Sequence, residues 1–435
     1  MPVEAEGTDE PASAAAGKPK GRGWARALGL GVVTGAADDD CSAIGTYASA
    51  GAQFGTSLLW TAPVTFPMMF GVVYLSSKLG QVTGKGLFHV IKEHFPSWVL
   101  WPTLIGVLIG NTIEAAADIG GMAAAIGLFI PVAPSLIVVV VACAILALQI
   151  WGSYNLIRNI FRWLALALFA YGASAVLARP DPWEVLWGTF VPTLQFSREF
   201  LSILVAIVGT SLSAYLYTWQ SNVEVEEDIA RGQTTVSQRQ GASAEELRQS
   251  RIDIVIGMLF SNLIMYFIIL STGATLHKAG QTNIESAAEA AEALRPFAGD
   301  AAGLLFAVGI IAVGFLAVPI MTTGAAYDLC QVVGWKSSLN SKPRDAKEFY
   351  AAIAAFTLIA IGMNFLGFNP MKALVYSGIV QGFSTPPLLL FIVLLTSSRR
   401  IMGDKVNTTP LKVLGWITVV AIFSTTCGLV VTWFL

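Results

Sequence analysis

Three consecutive carboxylates, Asp38-Asp39-Asp40, stand inside an otherwise apolar stretch, between Ala27–Thr34 and Ile44–Phe54. Ionisable groups at membrane depth are costly and mark ion paths or proton relays. Neither apolar flank alone reaches the roughly 20 residues that cross a bilayer; together they do, with a polar break between them. A helix interrupted at mid-membrane frees backbone carbonyls for a cation, a construction common to secondary transporters. The competing interpretation, an interfacial helix followed by a wet acidic loop, is weakened by the rest of the chain.

A second set of polar groups lies further on. Asn111, Glu114 and Asp118 fall at i, i+3 and i+7, on one helical face. Two acids four residues apart repel unless a cation, a proton or solvent intervenes, so this face must point at protein or water. Glu114 is the more central of the two and the better site candidate, whereas Asp118 is assigned to an acidic outer vestibule. Gly209-Thr210-Ser211-Leu212-Ser213 places small hydroxyl residues where an apolar span is normally richest in Leu and Ile. Back-bonding to the preceding turn would also account for those hydroxyls. Gln220, Glu224 and Glu227 repeat at helical spacing beside Glu226 and Asp228, and read as a vestibule that concentrates cations or as a solvated helix end.

The donor chemistry is hard. Asp oxygens, Ser and Thr hydroxyls and backbone carbonyls suit Mg²⁺, Ca²⁺ or Mn²⁺. Only Cys41 offers a soft atom near the acids, and the three histidines, His89, His94 and His277, fall in loops or at a helix end. The four cysteines all lie in apolar segments, which argues against a disulfide framework.

The elements that must position these groups are membrane helices. The 435 residues are 55% hydrophobic and 12% charged, against about 25% charged in a soluble protein, and mean hydropathy is +0.66. The chain is therefore all-α and polytopic. A net charge of −2 gives no sign of nucleic-acid binding. Residues 1–23 read as a disordered cytoplasmic tail without a cleavable signal. Eleven spans are expected: 24–54 (broken), 58–79, 98–129, 134–150, 156–177, 199–224, 252–276, 302–333, 349–366, 370–395 and 411–435. Gly80–Pro96 and Glu226–Arg251 are expected as polar loops, Pro180 and Pro182 as part of a polar link, and Gln281–Gly299 as a short surface helix. With the N-terminus in the cytoplasm, most of the 26 basic residues fall inside, leaving Arg179, Arg198, Lys278, Arg295 and Lys372 outside. The first and sixth spans start five helices apart. An odd offset inverts orientation, so spans 1–5 (about 24–178) and 6–10 (about 199–397) are expected as inverted repeats, with 398–435 forming a loop and span 11.

Several motifs carry a family resemblance. Val82-Thr83-Gly84-Lys85-Gly86-Leu87, Glu93-His94-Phe95-Pro96, Ala50-Gly51-Ala52-Gln53-Phe54-Gly55 and Arg399-Arg400-Ile401-Met402-Gly403 resemble segments of the Nramp divalent-metal transporters, over nearly the whole chain. That resemblance implies a LeuT-type fold. The family's Asp-Pro-Gly-Asn motif falls on Asp40-Cys41-Ser42-Ala43, and its Met-Pro-His-Asn motif on Ser213-Ala214-Tyr215-Leu216. The Asp ligand is kept, the Asn ligand becomes Ala43 and the thioether ligand becomes Ser213. The acidic pair of the third span falls on Glu114 and Ala117, and the sixth-span histidines on Tyr215 and Gln220. Cys41 and Ala214 stand where the family has proline, an exchange that favours straighter helices. These departures, with Trp219-Gln220 and Glu224-Val225-Glu226-Glu227, resemble the Nramp-related magnesium transporters.

The resemblance implies a divalent-cation transporter of the cytoplasmic membrane that prefers Mg²⁺, also passes Mn²⁺ and is not proton-coupled; a proton-coupled Mn²⁺/Fe²⁺ transporter is the alternative. Asp40 would be the main ligand, with Asp38, Asp39 and Glu114 adding charge. Ser42, Thr210, Ser213 and Asn111 would contact the ion or its waters, and Ala43 would leave room. The metal is cargo, and no cofactor is expected. The partners are the ion and the bilayer, and a monomer is compatible with the sequence. A Na⁺-coupled solute symporter and an intramembrane hydrolase built on Asp pairs are weaker fits to three adjacent acids.

Overall fold

The computed structural model describes residues 30–151, 169–432 and 434, and every regular element among them is helical. In chain order they are α1 (Leu30–Asp38), α2 (Cys41–Phe54), α3 (Thr61–Thr83), α4 (Leu87–His94), α5 (Ser97–Gly127), α6 (Pro134–Trp151), α7 (Phe169–Leu177), α8 (Pro182–Phe190), α9 (Arg198–Ser211) and α10 (Ala214–Ala230). There follow α11 (Val236–Arg239), α12 (Ala244–Thr272) with a π turn at Gly273–His277, α13 (Ala287–Glu292), α14 (Arg295–Ala298), α15 (Ala302–Val333), α16 (Lys347–Asn364), α17 (Pro370–Ser397), α18 (Arg399–Met402) and α19 (Thr409–Val431).

By length and composition, six described stretches suffice to cross a membrane: 97–127, 198–230, 244–277, 295–333, 370–397 and 409–431. The first expected span is two short halves of 9 and 14 residues. The expected tail, 1–23, and most of the fifth span, 152–168, lie outside the described residues.

The break between α1 and α2 needs no proline. Asp40 adopts extended backbone (φ −66°, ψ −178°) and its side chain accepts from the Ala43 amide, capping α2. The second break falls between α9 and α10, where Ser213 is likewise extended (φ −63°, ψ 140°) but caps nothing. Cys41 and Ala214 therefore do not straighten these helices, because the turn is set by the residue before each of them.

Three expected loops are partly helical. Gly80–Pro96 contains α4, whose Leu87, Phe88, Val90 and Ile91 form a buried stripe while His89 is half-buried and Lys92 and His94 are exposed. Alternation of that kind averages to a polar stretch. The link around Pro182 contains α8, with Asp181 capping it. Most of Glu226–Arg251 is helical, because α10 runs on to Ala230 and α12 starts at Ala244 behind a Ser243/Glu246 capping box. The Ala/Glu-rich segment is half core, since Ala287, Ala290 and Ala291 are buried.

Packing places the breaks at the centre. α5 runs along α15, α17 and α16; α1 lies on α12; α9 lies along α17; α10 lies against α3. The contacts of both broken helices are backbone-close. A Cβ on Gly35 would stand 2.2 Å from the Gly257 carbonyl oxygen, and one on Gly209 would stand 2.0 Å from that of Gly378. Large apolar side chains such as Val140, Val176, Leu259, Leu358 and Val420 are exposed, a surface suited to lipid.

Candidate functional site

Asp40 is fully buried and holds the two breaks together. Its Oδ1 accepts from the Ala43 amide (2.7 Å) and the Ser42 hydroxyl (2.8 Å), and its Oδ2 from the Tyr215 hydroxyl (3.0 Å). Ser42 Oγ also lies 3.1 Å from Glu114 Oε1 and 3.4 Å from Thr210 Oγ1. Ser213 Oγ reaches Glu114 Oε1 at 3.3 Å. α1, α2, α5, α9 and α10 thus meet around two carboxylates and a ring of hydroxyls. Among the described residues, no three of His, Cys, Asp and Glu stand together at metal-ligating spacing.

The freed carbonyls are present but occupied. Tyr215 OH donates to Ala37 O (2.7 Å), and Ser213 Oγ reaches Gly209 O (3.0 Å) and Thr210 O (2.9 Å). Each of these bonds uses a hydroxyl that can rotate away. The soft atom is turned elsewhere, since Cys41 Sγ donates to Ile310 O at 3.3 Å.

The other expected residues divide into groups. Asp38 Oδ2 and Asp39 Oδ1 both accept from Ser261 on α12, while Asp38 Oδ1 and Asp39 Oδ2 are buried without a hydrogen bond. These two acids face a different neighbour from Asp40. Asn111 Oδ1 accepts from Gln381 Nε2 at 3.1 Å. The same amide nitrogen donates to Glu114 Oε2 at 2.6 Å.

The vestibule assignments change. Asp118 is fully buried, and its Oδ1 accepts from the Ser42 amide at 3.0 Å, so it belongs to the central cluster. One further helical turn along α5 keeps a side chain on the face that packs against α2. Gln220 is buried as well, accepting from Thr34 Oγ1 (2.8 Å) and donating to Glu224 Oε1 (3.0 Å). Glu224 also accepts from Ser77 at 2.8 Å. These two residues continue the polar core. Only Glu227, paired with Arg231 at 2.9 Å, is at the surface.

Two residues of this core went unnoticed in the sequence. Gln381 and Ser261 sit singly within α17 and α12, with no local pattern to mark them. Tyr215 was visible only as a position aligned with a family histidine.

At the face expected to be cytoplasmic, here termed the basic-rich face, a cavity of about 380 Å³ is lined by His89, Lys92, Glu93, Cys330, Gln331 and Trp335. Burial pushes the His89 imidazole below its usual range while Glu93, 3.3 Å away, pulls the other way.

A manganese transporter of Eremococcus coleocola superposes with a TM-score of 0.70 at 20% identity, covering 95% of this chain and 88% of that one. Mhp1, a nucleobase-cation-symport-1 family transporter in a closed conformation, gives 0.57 at 14% identity over 93% and 92%. The fold is the LeuT type. The profile of the Nramp family, described as natural resistance-associated macrophage protein-like, matches residues 31–432, and the chain belongs to that family. The divalent metal cation transporter MntH of Bacillus subtilis (strain 168) is 28% identical over 426 residues, spanning 96% of this chain and 95% of the relative. MntH of Deinococcus radiodurans is 28% identical over 403 residues, 91% and 87% respectively.

Proposed function

We propose that this chain carries divalent metal cations across the cell membrane by alternating access, with Mn²⁺ among its cargo. The observation that carries the proposal is the meeting of Asp40, Glu114, Ser42, Thr210 and Ser213 where two helices break opposite each other. Membership of the Nramp family supports it. So do the names of the relatives, divalent metal cation transporters and a manganese transporter. Asp40 takes the ion when Ser42 and Tyr215 rotate off its oxygens. Glu114 supplies the second charge, and the carbonyls of Ala37, Gly209 and Thr210 become available as their hydroxyl partners turn. Asp118, beside the ion on α5, is positioned to exchange a proton as the ion enters. α1 and α10 rock against α5 and α15. With the N-terminus in the cytoplasm, the membrane potential drives uptake by about 2.3 kcal/mol per charge per 100 mV, doubled for a divalent ion.

A second possibility is Mg²⁺ carried with part of its water and without a proton. It is favoured by the donor set, which is oxygen alone once Cys41 is committed to Ile310. The relatives' names give it no support. Uptake of Mn²⁺ and Mg²⁺ into proteoliposomes, with a pH dye inside, tests both. Mn²⁺ uptake with acidification, lost in Asp40→Ala, supports the first; Mg²⁺ uptake at constant pH supports the second. Metal uptake unchanged by Asp40→Ala rejects the site.

A further inference from the structure

Asp328, on α15, has no part in the site above. It is fully buried, and neither carboxylate oxygen completes a hydrogen bond. The Thr218 hydroxyl and the Asn222 amide N–H on α10 are turned toward it as neutral donors, and neither brings a countercharge. Asn222 Nδ2 is itself buried without a partner. Among the described residues no Lys, Arg or His pairs with Asp328. Burying a carboxylate without a countercharge is expensive enough that one is normally found with a cation or a proton. Within a membrane bundle such a group marks an ion path.

Its position lies on a line. Tyr215, Thr218 and Asn222 fall at i, i+3 and i+7 on one face of α10, and Tyr215 OH already touches Asp40. At 1.5 Å rise per residue, Thr218 and Asn222 stand about 4.5 and about 10.5 Å further along the helix. α15 faces them with Gly324 and Asp328, one turn apart. A Cβ on Gly324 would be only in ordinary contact, 3.7 Å from Thr218 Oγ1, so the helix is not jammed there. Beyond Asp328 the polar groups continue. Asn222 Oδ1 accepts from Gln331 Nε2 (2.6 Å), Gln331 Oε1 accepts from the His89 amide (3.1 Å), and Gln331 lines the cavity at the basic-rich face.

We propose that Asp328, with Thr218 and Asn222, is a second divalent-cation site, a waypoint between Asp40 and the basic-rich face. One carboxylate with the Thr218 hydroxyl, joined by the Asn222 amide oxygen once that side chain turns from Gln331, suits an ion that keeps several of its waters. The inference rests on the reading of the chain as a divalent-cation carrier.

Mn²⁺ binding to the purified chain tests it, counted by the electron paramagnetic resonance of the free ion. The wild type binds two ions at saturation. Asp328→Asn, close to isosteric, binds one with the Asp40-site affinity unchanged and moves Mn²⁺ into proteoliposomes several-fold more slowly. Asp40→Asn also binds one, and the double variant none. Thr218→Val, which leaves the charge in place, weakens only the second site, by about tenfold or 1.4 kcal/mol. If Asp328→Asn keeps the wild-type ion count and loses only thermal stability, the residue is structural and the waypoint is wrong, with the carrier reading intact. If the wild type binds one ion, lost in Asp40→Asn and kept in Asp328→Asn, the waypoint is again wrong. If the wild type binds none, both proposals fail.

Discussion

The two breaks occupy matching places in the chain yet are built from different chemistry. At the first, Asp40 caps the helix that follows it, so one carboxylate both makes the turn and presents the charge. At the second, Ser213 makes no cap and bonds backwards to Gly209 and Thr210, leaving the start of α10 without a side-chain cap. An uncapped helix start carries partial positive charge, which a cation avoids. The first break therefore attracts the ion. The second break contributes dipoles that become ligands only after Ser213 and Tyr215 rotate. Charge on one side and adjustable dipoles on the other allow binding that is strong enough to select and weak enough to release.

Substitutions separate these contributions. Asp40→Asn keeps a good capping residue but removes the charge. It should lower Mn²⁺ affinity at the Asp40 site by at least about 100-fold, roughly 2.7 kcal/mol, with little change in melting temperature. Asp40→Ala should add a loss of about 1 kcal/mol in stability for the missing cap. Equal stability of the two variants would mean that the first break does not depend on its cap. Tyr215→Phe removes the bonds to Ala37 O and Asp40 Oδ2. A change of about 1–2 kcal/mol in transport or binding is expected, read as a roughly tenfold change in the concentration for half-maximal uptake. Ser213→Ala frees the Gly209 and Thr210 carbonyls and should shift affinity by less than about 1 kcal/mol. If it matched Asp40→Asn in isothermal titration, the two breaks would be equal partners and the contrast would collapse.

Much of this was legible in the sequence where charge interrupts an apolar run. Asp38–Asp40 in the first expected span and Thr210–Ser213 in the sixth stood out because each violates the pattern around it, and both mark breaks. What was not legible depended on rotation about an axis. Asp118 could be placed on the face of Glu114, but how far the packing of α5 against α2 would bury that face cannot be read from spacing. Gln220 and Glu224 read as a vestibule or a solvated helix end because α10 continues past them, and it is Thr34, Ser77 and Ser250, from other helices, that show the environment to be interior. Ser261 and Gln381 are single polar residues in apolar helices, a pattern that more often means a residue bonded to its own preceding turn.

The glycine contacts under the broken helices have a kinetic consequence. Gly35 rests on Gly257, and Gly209 on Gly378 and Gly382, with backbone against backbone. Interlocked side chains must climb over one another for a helix to shift, whereas two bare backbones present a smooth bearing. These close contacts thus have little to catch on, so a methyl group added there, which the facing backbone would have to shift to admit, would act as a brake on turnover.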